Sequence, residues 1–202
     1  MQKCPQGALQ ILRAPVPEDL HSLGIWADQL PNLRRLHVER GLRSGDLFYL
    51  GPAPYSLFFS AFPQLEWLVL GKAIDIALFK HRTVQSVSLA NSDFVSMLKS
   101  MPCLTHFAFN LSPETISGYF FRETEAIGQA TALDRYMVRA VWYEEVLQQI
   151  LSYVPGLTEV CIVVDRRLKY RAVREAGTTD VVITEEKLEY GQIEPRFPRF
   201  LF

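Results

Sequence analysis

The sequence predicts an α/β solenoid, in which short parallel strands alternate with helices. One phrase recurs along the chain and places apolar residues at its start, three residues on and five residues on, as in Leu33, Leu36 and Val38. Proline stands two residues before the start of the clearest copies, and segments with helical spacing lie between copies. Such units can bury a continuous core only by stacking on their neighbours.

Seven copies of the phrase define the predicted strands. They start at Leu9, Leu33, Leu65, Val84, Leu104, Leu133 and Leu157. The intervals between them lie inside or near the range of leucine-rich units. Residues three and five positions after each start share one face of a strand, which we predict to be the core face. Residues two and four positions after each start then lie on the opposite face.

The segments between copies predict helices over residues 18–30, 92–101 and 141–154, where apolar residues recur every three or four positions. Pro31, Pro102 and Pro155 follow these segments directly. Because proline removes a backbone donor and restricts the residue before it, each helix should end there and the next strand should begin.

The pattern changes after the last copy, where residues 165–174 are basic and residues 178–184 favour a strand. We interpret residues 166–202 as a C-terminal cap or tail and residues 9–165 as the repeats, within a single repeat domain over 1–202. Because Leu9 starts a unit almost at once, we also consider that the chain is a fragment of a longer protein.

The phrases at residues 30–38 and 154–162 resemble the leucine-rich-repeat regions of fungal F-box-like proteins. The resemblance covers residues 9–165, and the F-box itself is not found. It implies a leucine-rich-repeat-like solenoid, with a parallel sheet of short strands and irregular helices on the convex side. It also implies protein binding, as the substrate-recognition part of a ubiquitin-ligase receptor, with ligase components as partners if an F-box lies upstream. A non-ubiquitin scaffold or inhibitor on the same fold is the alternative.

Composition restricts the partners and the compartment. The 202 residues carry 21 Lys plus Arg against 22 Asp plus Glu, so the net charge of −1 gives no general attraction to nucleic acid or to anionic lipid. We expect neither as a partner. The three cysteines form no Cys-x-x-Cys pair, and the first twenty residues do not resemble a signal peptide. We therefore expect an intracellular protein, cytoplasmic or nuclear.

The residues do not predict an enzyme. Cys103 and His106 could suggest a thiol nucleophile with a base, but three residues apart in a strand means opposite faces. The histidines are scattered, and no nucleotide-binding or hydrolase motif occurs. We expect no catalytic residue, no metal and no cofactor.

The face opposite the core is the predicted protein-binding surface. Its candidate residues stand two and four positions after the phrase starts: Arg35, His37, Trp67, Val69, Ser86, His106, Arg135, Met137 and Glu159. Tryptophan is enriched in binding hot spots, so Trp67 is the strongest candidate, unless the loop at 41–54 buries it within the chain. The basic cluster at 165–174 is either a solvated face or a site for an acidic partner.

Overall fold

The computed structural model describes residues 11–15, 30–39, 62–73, 82–83, 86–87, 93–110, 132–164, 168–175, 177–187 and 198. The strands are β1 (Ile11–Pro15), β2 (Arg35–Glu39), β3 (Trp67–Ala73), β4 (Arg82–Thr83), β5 (Ser86–Val87), β6 (His106–Asn110), β7 (Glu159–Val163), β8 (Leu168–Arg174) and β9 (Val181–Lys187). The helices are α1 (Asp93–Lys99) and α2 (Ala132–Tyr153).

Seven of these strands form one mixed sheet in the order β1-β2-β3-β6-β7-β8-β9. The first five run parallel in chain order. The chain then reverses, so that β8 runs antiparallel to β7 and β9 antiparallel to β8. Strands β4 and β5 form a separate antiparallel pair.

The predicted solenoid with an all-parallel sheet is therefore wrong. A solenoid needs every unit to return in the same direction, whereas β8 and β9 return as antiparallel neighbours and complete a mixed sheet. Both strands lie within the segment interpreted as a cap or tail, and they extend the sheet beyond β7.

Four copies of the phrase share one turn before the strand. In each copy the amide of the first phrase residue donates to the carbonyl three residues earlier, at 3.1 Å, and proline follows that carbonyl residue. The donor–acceptor pairs are Leu33–Leu30, Leu65–Phe62, Leu104–Met101 and Leu157–Val154. Proline suits the second position of a β-turn because its φ is already fixed. The repeated proline thus fixes the turn before each of these four strands.

Two of the three copies without this proline do not join the main sheet. Arg82 and Thr131 occupy the proline position before Val84 and Leu133. The copy at Val84 contributes to the separate pair of β4 and β5, and the copy at Leu133 lies inside α2. Residues 132–140 include alanine, leucine, methionine and arginine, which favour helix, and no proline interrupts them. Both copies were wrongly predicted as strands of the main sheet.

The core lies between one face of the sheet and the two helices. Helix α1 falls within the predicted 92–101, and α2 starts nine residues before the predicted 141 and ends at Tyr153. The helix predicted at 18–30 lies outside the described residues except for its last residue. Predicted core residues that the structure buries are Leu33, Leu36, Leu65, Leu68, Leu70, Leu104, Phe107, Phe109, Leu157, Val160 and Ile162. The side chains of Val38, Val87 and Leu89 lie outside the described part.

The other face of the sheet carries a second, smaller apolar cluster. Val69, Ala108, Cys161 and Val163 are buried there, and Trp67 packs against them. The centre of the sheet is therefore buried on both faces. On this second face, the residues at which β2, β3, β6 and β7 begin are only partly buried.

Candidate protein-binding surface

One row of side chains crosses six strands at the start of the parallel strands. Strand register pairs Arg35 with Trp67, Trp67 with His106, and His106 with Glu159. The antiparallel strands continue the row, because Glu159 pairs with Val173 and Val173 pairs with Val182. Directly paired residues lie on the same face of a sheet. We call these residues the cross-strand row: Arg35, Trp67, His106, Glu159, Val173 and Val182.

Stacking holds the first three residues of the cross-strand row together. The Arg35 guanidinium carbon lies 4.1 Å from the centroid of the Trp67 ring. The Trp67 and His106 rings stack with centroids 4.6 Å apart and planes inclined by 29°. All three side chains are half-buried. A cation–π contact stabilises a guanidinium that lies above the face of an indole ring. This contact therefore fixes the orientation of Arg35.

An ion-pair cluster continues from the middle of the row. The Nε2 atom of His106 lies 3.7 Å from Oε2 of Glu159. Glu159 also accepts a hydrogen bond from Nη1 of Arg171. Arg171 donates from Nε and Nη2 to both carboxylate oxygens of Glu186, at 2.7 and 3.0 Å. The buried Arg171 guanidinium therefore binds two carboxylates.

The surroundings of His106 keep its imidazole neutral near pH 7. Burial lowers the pKa of His106 from 6.5, and the charges of Arg35 and Arg171 lower it further, against an opposing contribution from Glu66. The Nδ1 atom lies 2.8 Å from the hydroxyl of Thr105. His106 thus acts in the row as an uncharged stacking ring.

The pKa values of Arg171 and Cys161 are both raised, for different reasons. Burial alone would lower the pKa of Arg171, but the hydrogen bond to Glu186, with nearby negative charge that includes Glu159, raises it above its ordinary value. Burial raises the pKa of the Cys161 thiol to about 12, against the positive charges of Arg171 and Lys169. Cys161 is therefore a protonated, packed thiol and not a nucleophile.

The structure brings four of the nine predicted surface residues into the cross-strand row: Arg35, Trp67, His106 and Glu159. His37 and Val69 lie on the same face but are buried. Ser86 lies in β5, outside the main sheet, because its copy of the phrase forms a separate pair. Arg135 and Met137 lie in α2, so they belong to no strand row. Whether any of these residues binds a partner stays a prediction.

The apolar end of the row, formed by Val173 and Val182, is not predicted by the repeated phrase. Val173 and Val182 are 37% and 46% exposed, and they are two of the three exposed large apolar residues among the described ones. Neither belongs to a copy of the phrase, so their alignment with Trp67 was not foreseen. The alternation along Lys169–Val173 was the available signal, because it places every second residue on one face.

The basic cluster at 165–174 is largely used within the fold. Lys169 and Arg171 are buried, which is contrary to a solvated face. Arg174 donates from Nη2 to the carbonyl of Leu151 at 2.6 Å and from Nε to the carbonyl of Leu157 at 3.3 Å. These three cations therefore offer little to an outside partner. Arg166 and Arg167 lie outside the described residues.

No protein-family model matches the chain, and no curated protein matches it either. Within the described ranges, no group of His, Cys, Asp and Glu is arranged to hold a metal ion. The described helices include none that is both long enough and apolar enough to cross a membrane.

Proposed function

We propose that this chain is a protein-binding module that uses the cross-strand row as its contact surface. The observation that carries the proposal is the row itself, in which a half-buried Trp67 and two exposed valines are held in register on one rigid sheet. A rigid aromatic residue beside exposed aliphatic residues is typical of interface centres. His106 is neutral and Glu159 already pairs with Arg171. Covering the middle of the row with a partner therefore costs less desolvation free energy than covering unpaired charges would.

The resemblance of the phrases to F-box-like proteins supports a narrower form of the proposal. In that form the partner is a substrate, and the chain is the recognition part of a ubiquitin-ligase receptor. A scaffold or inhibitor without ubiquitin chemistry is the alternative. Recovery of cullin-ligase components together with a bound protein supports the first over the second, and this test requires the protein extended upstream, because no F-box is found in this sequence.

Capture from a cell extract tests the proposal when matched variants are compared. Trp67→Ala and Val182→Thr each alter the row, whereas Val141→Thr makes the same polar change on α2 at a valine that is 59% exposed. We expect the first two variants to lose a captured protein and the third to keep it. For the purified binder, Trp67→Ala should cost about 2 kcal/mol or more.

The thermal midpoint of each variant must accompany the capture, because Trp67 packs against the small buried cluster. If the folded Trp67→Ala and Val182→Thr variants still capture every protein that the wild type captures, the cross-strand row is not the contact surface and the proposal fails.

A further inference from the structure

The cross-strand row has opposite chemistry at its two ends. Arg35, which pairs in register with Ile11 of the edge strand β1, lies toward one end, and the described residues include no carboxylate within ion-pair distance of its guanidinium. Val173 and Val182 lie at the other end and expose aliphatic surface. Between the ends, Arg171 pairs with both Glu159 and Glu186, so these carboxylates are engaged inside the fold.

Arg35 differs from its neighbour Arg34 in this respect. Arg34 is exposed and pairs with Glu66. Arg35 instead lies over the Trp67 ring, which orients its guanidinium without using the N–H donors. A guanidinium held in this way keeps its donors available for a planar anion, and carboxylate is the planar anion that proteins present.

The spacing of the two ends sets the length of a matching segment. Five inter-strand steps of about 4.8 Å separate Arg35 from Val182, which gives roughly 24 Å. An extended chain advances about 3.3 Å per residue, so roughly seven residues cover this distance. The corresponding distance to Val173 is one step shorter, or about six residues.

We propose that the partner is an extended acidic segment, in which an Asp or Glu side chain binds Arg35 over Trp67 and an aliphatic side chain six or seven residues away packs on Val173 and Val182. This inference rests on the proposed function and specifies the chemistry of the partner. Neither end alone would select such a segment, because one charge-assisted pair changes affinity only about tenfold and two valines offer a small apolar area. Selectivity comes from the fixed distance between the ends.

Selection from a random dodecapeptide phage library on the immobilised full chain tests the inference. Enriched peptides should carry Asp or Glu six or seven residues from Leu, Ile, Val or Phe. One enriched peptide, labelled with fluorescein, then serves as the probe for anisotropy measurements at low salt. Arg35→Gln should weaken its binding about tenfold, because a charge-assisted pair is lost. Arg34→Gln makes the same change one residue away and should alter the affinity less than twofold.

A charge exchange separates a direct contact from a structural effect. Arg35→Glu should reject the acidic peptide and bind its counterpart in which the acidic residue is replaced by lysine. The inference would be overturned by any one of three results. These are equal effects of Arg35→Gln and Arg34→Gln on affinity, enrichment of basic peptides, or no enrichment of any peptide.

The outcomes also separate this inference from the proposed function. Peptides that lack an acidic residue but lose binding with Trp67→Ala and Val182→Thr leave the proposed surface intact and overturn only the acidic segment. If peptides bind all the row variants as tightly as the wild type, the result counts against both the proposed surface and the acidic segment.

Discussion

Replacing Arg171 with methionine should destabilise the protein by about 3 kcal/mol at pH 7, because two carboxylates lose their shared cation. The Arg171 side chain is 5% exposed, and those of Glu159 and Glu186 are 17% and 21% exposed. Breaking a fully buried pair costs about 3–5 kcal/mol, and partial solvation of the two carboxylates favours the lower end. Methionine preserves most of the buried stem, so the loss of packing is small.

Urea unfolding followed by circular dichroism measures this difference, provided that the slope of the free energy against urea concentration is unchanged. Arg34→Met is the matched control, because Arg34 and Glu66 form a pair with side chains 48% and 34% exposed. Its removal should cost under about 0.5 kcal/mol. Combining Arg171→Met with Glu159→Gln and Glu186→Gln should recover much of the stability, since these two side chains then carry no charge that needs the lost cation. An Arg171→Met protein within about 1 kcal/mol of the wild type would refute this reasoning.

Three further predictions follow from burial. Leu68→Ala and Leu157→Ala should each cost about 2–5 kcal/mol in urea unfolding, because both side chains are fully buried, and a negligible shift for both would contradict the described core. The lowered pKa of His106 means that the folded state binds its proton less readily than the unfolded state, so stability should fall as pH drops below 6.5. His106→Asn should reduce that slope in unfolding measurements between pH 7 and pH 5, and an unchanged slope would count against it. Cys103 is exposed and Cys161 buried, so iodoacetamide followed by peptide mapping should modify the first in the native protein and the second only after unfolding.

The parallel half of the sheet could be anticipated from the sequence because its signal is local. A proline two residues before the phrase fixes a turn, as at Pro31 and Pro63, and the alternation that follows assigns faces. Where that proline is absent, the apolar spacing alone did not distinguish strand from helix, and Leu133 lies in α2. Leu9 shows that proline is not required, because β1 pairs in parallel with β2 without it.

The antiparallel half could not be anticipated because it depends on contacts between distant residues. Arg171 appears in the sequence as one cation of a basic cluster, and only its pairing with Glu159 and Glu186 explains its burial. The candidate surface shows the same division, because four of its six residues could be predicted from the sequence and two could not. Trp67 could be placed on the outer face from its own phrase, whereas Val182 joins the row only through the register of β8 and β9.

The indole Nε1–H signal of Trp67 tests the central claim most directly. Spectra of ¹⁵N-labelled protein, with the signal assigned through Trp67→Phe, should be recorded with and without a captured partner or selected peptide. Trp67 lies in the cross-strand row, whereas Trp142 packs on the helix side of the sheet against the main core. We predict that binding shifts the Trp67 signal and leaves the Trp142 signal in place. A saturating partner that leaves the Trp67 signal unmoved would contradict the assignment of this row as the binding surface.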